Sequence, residues 1–273
     1  MDDHLSVEGV DEPITRDRLA GEWKIHQLKR GHRFSVDDVL AAWAGVESQP
    51  NATRLLDLGA GIGSVGLLAL WRMEEVARLV MVEAQEVSHR LARATIRWNE
   101  LEDRIEARLG DLRDPESVPE HEHFDLITCS PPYIPVGKGV ISPHPQRAGA
   151  RMELRGSIFD YCATARRALA RNGRVSLVFA AGDPRGEEAL SEAGLALVWR
   201  RDVVFREGQP PTITLLVGAH EGAEGLSEPE RKAPLYIRQA DGRFTEEIWA
   251  LRQAMGTKLA HRGHESPASK AKA

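Results

Sequence analysis

Apolar residues in this chain gather in short runs, separated by longer stretches where they recur every three or four positions. Arg54-Leu-Leu-Asp57-Leu58, Leu79-Val-Met-Val-Glu83, Ile105–Leu109, Phe124–Cys129 and Val175–Phe179 are brief, mostly apolar and bounded by turn residues, as buried strands are. The intervening stretches carry helical spacing: from the glycines after Leu58 through Trp71, from Val87 to Trp98, from Ile158 to Ala170, and from Arg185 to Ala193. Asn172-Gly173 supplies a stop signal for the third of these, and Gly194 for the fourth. Leu195–Phe205 and Thr212–Val217 form a closing pair of strands that can run antiparallel. Strands alternating with helices predict an α/β fold, a wound and mostly parallel sheet with helices on both faces.

The flanks are less patterned. Residues 1–22 are acidic and predict a mobile N-terminal arm. Trp23 to Arg33 predicts a short hairpin turning near Arg30-Gly31. Ser35 is placed as an N-cap, with Asp37 and Asp38 in the first turn of a helix reaching Trp43. The main domain is expected over 23–220. Ile134 to Arg155 is rich in Gly, Pro and Arg and longer than ordinary connections, which favours a functional loop. A charged linker is expected over 219–232. A C-terminal extension over 221–260 holds an Asp241-Gly242 turn and a helix with Ile248, Leu251 and Met255 on one face. Residues 261–273 are polar and basic, with the composition of a disordered tail.

Composition narrows the class. The 273 residues are 42% apolar and carry a formal charge of −5, enough core for a large domain and the wrong sign for indiscriminate nucleic-acid coating. A local basic face is still allowed. Two cysteines, Cys129 and Cys162, give neither a disulfide framework nor a cysteine-rich metal site. No signal peptide and no run of about 18 apolar residues is present. The expectation is a cytoplasmic protein without a metal, monomeric as the default.

Candidate chemistry lies at the ends of the predicted strands, where open α/β sheets bind ligands. Gly61-x-Gly63-x-x-Gly66 follows one strand and opens a helix, an arrangement suited to a nucleoside-containing cofactor. A nicotinamide cofactor would satisfy the glycines alone. Asp57, two residues before Gly59, instead suits a cationic group such as the amino group of a methionine moiety. Glu83 can accept both hydroxyls of a ribose, and Asp111 an exocyclic amine of adenine. Ser130-Pro131-Pro132-Tyr133 stops the fourth strand, because proline cannot donate to the ladder. It leaves hydrogen-bond acceptors and a flat ring at the same edge. A rigid strand exit with an incidental tyrosine is the plain alternative.

Together, Asp57-Leu-Gly-Ala-Gly61, Val82-Glu83, Gly110-Asp111 and Ser130-Pro-Pro-Tyr133 resemble the successive motifs of class I S-adenosylmethionine-dependent methyltransferases. The resemblance covers roughly residues 30–220. It implies a Rossmann-like sheet of seven strands with the last ones reversed, and S-adenosylmethionine as cofactor. Arg30 through Trp43, Val82-Glu-Ala-Gln85, Arg147-Ala-Gly-Ala-Arg151-Met-Glu153 and Pro234 through Glu247 are similar to bacterial tRNA1(Val) adenine-N6 methyltransferases. Those enzymes act on the adenine 3′ of the anticodon. Two departures stand out: Ser130 where that family has Asn, and Met152 where it usually has His.

The resemblance implies roles. Phe34, Asp37, Asp57, Gly59, Gly61, Gly63, Glu83, Asp111, Leu112 and Ser130 would hold the cofactor. Ser130, Pro131, Pro132 and Tyr133 would form the catalytic turn, with the Ser130 hydroxyl and Pro131 carbonyl accepting hydrogens of the target amine and Tyr133 stacking on the base. Lys29, Arg30, Arg33, Arg147, Arg151 and Arg155 are expected on an RNA-facing rim, with tRNA as partner. Cys129 belongs to the apolar strand and reads as core rather than as a nucleophile. Trp23, Trp43, Trp71 and Trp98 read as packing residues. Three alternatives stay open: a glutamine methyltransferase of release factors, although only about 50 residues precede the glycines; a nicotinamide oxidoreductase; and a non-catalytic RNA-binding protein on the same fold.

Overall fold

The computed structural model describes residues 5–119 and 121–257; the expected basic tail lies outside them. In chain order, β1 (Ile14–Ala20) and β2 (Trp23–Leu28) form an antiparallel hairpin. α1 (Val36–Ser48) leads to β3 (Arg54–Leu58), α2 (Ser64–Arg72), β4 (Arg78–Glu83), α3 (Glu86–Trp98), β5 (Ile105–Leu109) and β6 (Phe124–Cys129). Then come α4 (Pro145–Arg151), α5 (Ile158–Ala168), β7 (Leu169–Ala180), α6 (Arg185–Glu192), β8 (Leu195–Val204) and β9 (Ile213–His220). β10 (Glu230–Tyr236) and α7 (Glu246–Ala254) finish the described chain.

The main sheet runs β10-β8-β9-β7-β6-β3-β4-β5. β3 to β7 pair in parallel, and β9 is antiparallel to both β7 and β8. Alternation along each strand divides the core between two faces. Leu55, Leu126 and Val178 face α1, α2 and the hairpin side. Leu56, Leu58, Ile127, Cys129 and Leu177 face α5 and α6. Burial on both faces explains why these strands are near-continuous apolar runs.

The seven expected strands are present, and β10 adds an eighth, parallel to β8. Its first three residues, Glu-Arg-Lys, fall where a linker was expected, and the rest in the expected C-terminal extension. An edge strand tolerates charge and proline because one side has no ladder to complete. The N-terminal arm also differs: Ile14–Ala20 are paired, and the hairpin turns at Gly21-Glu22 instead of Arg30-Gly31. The helix before β7 ends at Ala168, and Asn172-Gly173 lie inside the strand. A Cβ on Gly173 would sit 2.9 Å from the Phe124 carbonyl oxygen and 3.0 Å from that of Asp125. The glycine lets two backbones approach, where a helix cap was expected. The expected loop over 134–155 contains α4, with Pro145 at its first turn.

The hairpin meets the segment after α7 beside α2. The Gly21 N–H donates to the Gly256 carbonyl at 3.0 Å. Trp71 fills the space beside both glycines, so that a Cβ on either would strike its ring. Trp43 packs near Trp199 as expected, but Trp98 is 51% exposed.

Candidate active site

A cleft of about 610 Å³ opens at the carboxyl ends of β3 to β6. The turn from β3 into α2 forms one wall. Gly61 has φ +57°, and the position of a Cβ there is open space, so backbone itself faces the cleft. Its N–H donates to Glu83 Oε2 at 2.7 Å, and Glu83 Oε1 accepts from the Gln85 N–H at 2.6 Å. Glu83 is thus clamped between the glycine turn and the start of α3, with further lone pairs available to a diol. Burial pushes its carboxyl up, with the Gln85 and Gly61 amides opposing the shift.

Asp57 lies on the α2 side of β3, the face it shares with Leu55. Its Oδ1 accepts from the Thr128 hydroxyl at 2.8 Å and its Oδ2 from the Gly66 N–H at 2.9 Å. One carboxylate therefore ties β3, β6 and the first turn of α2 together. Burial pushes its pKa up to about 7. Asp38 reaches about 7 for the same reason, with further upward pressure from Asp37 and Asp57. It accepts from the Ser35 N–H at 2.8 Å as the acid of a capping box. Burial also raises Asp37.

Asp37, Asp38, Asp57 and Glu83 thus crowd one side of the cleft. Among the described residues, no cationic side chain bonds to Asp38 or Asp57. A cationic ligand relieves this crowding, which is the chemistry of a group carrying an ammonium and a sulfonium. Asp111 is the exception: Arg113 pairs with its Oδ2 at 2.6 Å and holds its carboxyl below the ordinary range. Leu112 is buried on the cleft wall, and its carbonyl accepts from the Thr164 hydroxyl at 3.1 Å.

The opposite wall is Ser130–Tyr133. Pro131 and Pro132 are buried, while Ser130 and Tyr133 are half-buried at the mouth. The Tyr133 ring stands edge-on to Phe179, centroids 6.1 Å apart and planes at 88°. Its carbonyl accepts from Arg185 Nη2 at 3.4 Å. The ring is braced from behind and open in front. Burial raises its hydroxyl pKa, so it stays neutral. Cys129, just before the turn, is fully buried, and burial pushes its thiol far up, against any nucleophilic role.

The structure brings Asp37, Asp57, Gly59, Gly61, Glu83, Asp111, Leu112, Ser130 and Tyr133 to this cleft, with Arg33, Arg147, Arg151 and Arg155 among its lining. It leaves others out. Phe34 packs against the core beside the hairpin, because its N–H is held by Gln27 Oε1 at 3.1 Å in the turn before α1. Gly63 caps α2 and faces Met81 and Leu67. Lys29 and Arg30 are exposed at the end of the hairpin and are not among the lining, although the Arg30 carbonyl accepts from Nη2 of the lining Arg147 at 2.7 Å. Met152 is 2% exposed in the core and does not line the cleft.

Three residues escaped the sequence. Asp38 was visible only as an acid in the first turn of α1. Gln146 is buried, its Oε1 accepting from the His32 N–H at 3.0 Å and its Nε2 donating to Ser88 Oγ at 3.1 Å. It joins α4, α3 and the turn before α1, and nothing in its sequence neighbourhood signals that. The buried Tyr161 sits with its hydroxyl so close to Gly59 that a Cβ there would lie 2.1 Å away. The sequence showed only that it lies in the helix predicted from Ile158 to Ala170.

Comparisons place this geometry. Residues 43–192 match the family model described as methyltransferase small domain. The tRNA1(Val) (adenine(37)-N6)-methyltransferase of Shewanella amazonensis is 30% identical over 231 residues, covering 84% of this chain and 94% of that protein. A predicted O-methyltransferase from Agrobacterium tumefaciens superposes with a TM-score of 0.62 at 20% identity, covering 81% of this chain and 98% of that one. The 16S rRNA N2 G1207 methyltransferase of T. thermophilus, solved with AdoMet and guanosine, gives 0.54 at 20% identity over 76% of this chain and 50% of that one. The chain belongs to the methyltransferase small domain family and is an S-adenosylmethionine-dependent methyltransferase.

Proposed function

We propose that the protein methylates N6 of an adenine in tRNA, in the anticodon loop of a tRNA1(Val)-type substrate. One observation carries this: the Ser130–Tyr133 turn opens into the same cleft as the glycine turn and Glu83, with an aromatic face braced at the mouth. The activity for which the Shewanella relative is named supports the choice of base and RNA.

Asp57, Glu83 and the Gly61 backbone would hold the cofactor, with Asp37 and Asp38 adding negative charge beside it. When bound, S-adenosylmethionine supplies a methyl group on a positively charged sulfur. The exocyclic amine of adenine is a weak nucleophile, since its lone pair is delocalised into the ring. The Ser130 hydroxyl and the Pro131 carbonyl would accept its two hydrogens, favour a tetrahedral nitrogen and aim the lone pair. Tyr133 would stack on the base, a contact worth about 1–3 kcal/mol in single-strand binders. Alignment of this kind supplies on the order of 7–11 kcal/mol of a barrier. A loop base is already unpaired, so extrusion costs less than from a duplex. Arg33, Arg147, Arg151 and Arg155 are disposed to meet phosphates around the mouth.

The test is mass spectrometry of nucleosides from bulk tRNA incubated with the pure protein and S-adenosylmethionine. N6-methyladenosine is the expected product. Methylcytidine in its place would show that Ser130 redirects the base choice, and no methylated nucleoside would overturn the assignment to tRNA.

A further inference from the structure

Trp98 packs against the hairpin and yet stays open to solvent. It ends α3 half exposed, and the Arg16 guanidinium lies 3.2 Å from its ring centroid. His26 meets the same ring edge-on at 6.3 Å. Burial, followed by the charges of Arg16 and Arg97, pushes His26 down to about 4, so both cations converge on this spot while the imidazole stays neutral. Lys24 is alongside. Its N–H donates to Asn99 Oδ1, and its carbonyl accepts from Asn99 Nδ2, both at 2.8 Å.

The outer side of α3 continues the patch. Arg93 and Arg97 are exposed one turn apart on one stripe. Among the described residues, Arg16, Lys24, Arg93 and Arg97 form no ion pair, whereas Arg33, Arg108, Arg185 and Arg200 all do. A chain with net charge −5 thus keeps four cations without an ion pair on the hairpin and the second half of α3, one of them stacked on the exposed indole. The ridge also has a direction. Gln85 and Ser88, at the start of α3, line the cleft. Thirteen helical residues span about 20 Å, so the Trp98 end lies that far from the cleft along the same flank.

We propose that this ridge, formed by Arg16, Lys24, Arg93, Arg97 and Trp98, is a second docking surface that grips the sugar–phosphate backbone of a folded RNA while the target base occupies the cleft. It rests on the assignment of tRNA as substrate. Unpaired surface cations neutralise phosphates and release counterions, the main source of backbone affinity. The exposed flank of Trp98 offers a surface for a ribose or an unpaired base. A separation of about 20 Å spans several base-pair steps of a double-stranded stem. An RNA with a stem beyond its target loop can therefore touch both places.

The experiment compares wild type, Arg93→Glu/Arg97→Glu and Trp98→Ala on full-length tRNA and on the isolated anticodon-loop oligonucleotide, with melting temperatures as the folding control. Expected is a fall in kcat/KM on full-length tRNA of about tenfold or more for the double variant and several-fold for Trp98→Ala. Rates on the oligonucleotide stay the same, and the salt slope of tRNA binding flattens by about 2 for the double variant. Methylation of tRNA by wild type, with the variants unchanged on both substrates or equally impaired on both, overturns the ridge alone. No methylation of any RNA by wild type overturns the substrate assignment and the ridge with it.

Discussion

The two walls of the cleft are built on different principles. The wall formed by Asp57, Glu83 and the glycine turn is made of strand ends, and its polar atoms are already bonded within the fold. The wall formed by Ser130–Tyr133 is one short turn, followed by a segment with Val136, Val140 and Ile141 exposed at 66%, 95% and 61%. The first is fixed by sheet register, since Asp57 lies beside Thr128 in the β3–β6 pairing. The second depends on packing behind it, through Phe179 and Arg185. A rigid wall suits a cofactor that never varies, and an open one suits a large substrate that must enter and leave. Hence substitutions on the first wall are expected to change stability and cofactor binding together, and those on the second to change turnover alone.

The largest break in this contrast comes from Asp57→Ala. It strips acceptors from a buried amide and a buried hydroxyl, each costing about 1–3 kcal/mol when left unmade. Calorimetry should show a clear fall in melting temperature and at least a tenfold loss in affinity for S-adenosylmethionine. A variant that binds the cofactor normally would mean that Asp57 serves only the fold. Next is Tyr133→Ala. Loss of a stack worth about 1–3 kcal/mol predicts a 5- to 150-fold drop in kcat/KM for RNA, with cofactor Kd unchanged by titration calorimetry. A parallel loss of cofactor affinity would erase the distinction between the walls.

The smallest effect sharpens the contrast through pH. Asp38 has a folded pKa raised to about 7, so it binds its proton more tightly in the folded state. Its contribution to stability is full below about pH 4 and is lost as pH rises towards 7. Asp38→Asn cannot ionise there. Relative to wild type, the variant without ligand should therefore gain stability steadily as pH rises from 4 to 7, read from denaturant melts across that range. A difference that stays flat with pH would show that Asp38 is not held protonated.

The same contrast decides what the sequence could tell. β3 to β6 were legible because strands buried on both faces leave continuous apolar runs, and their terminal acids fall at the carboxyl ends by construction. β1 was not: Ile-Thr-Arg-Asp-Arg-Leu-Ala mixes charge into a ribbon that is half exposed and paired only with β2. β10 was obscured by charge and by Pro234 for the edge-strand reason. Gln146 joins segments 58 and 114 residues away, and no local pattern encodes such partners. Phe34 packs beside the hairpin, its N–H donating to Gln27 Oε1, a partner the flanking residues do not announce.

The meeting of Gly21, Trp71 and Gly256 has an optical consequence. Trp71 sits at the far end of the helix whose first turn is held by Asp57, and both glycines lie against its half-buried ring. Bringing together residues so distant along the chain carries a large loop-closure entropy, so this contact should be among the last to form and the first to open. The indole passes from a covered to a wet environment at that moment. In a chain where the other five tryptophans are replaced by phenylalanine, its emission would time the arrival of both ends of the described chain, separately from the closing of the sheet.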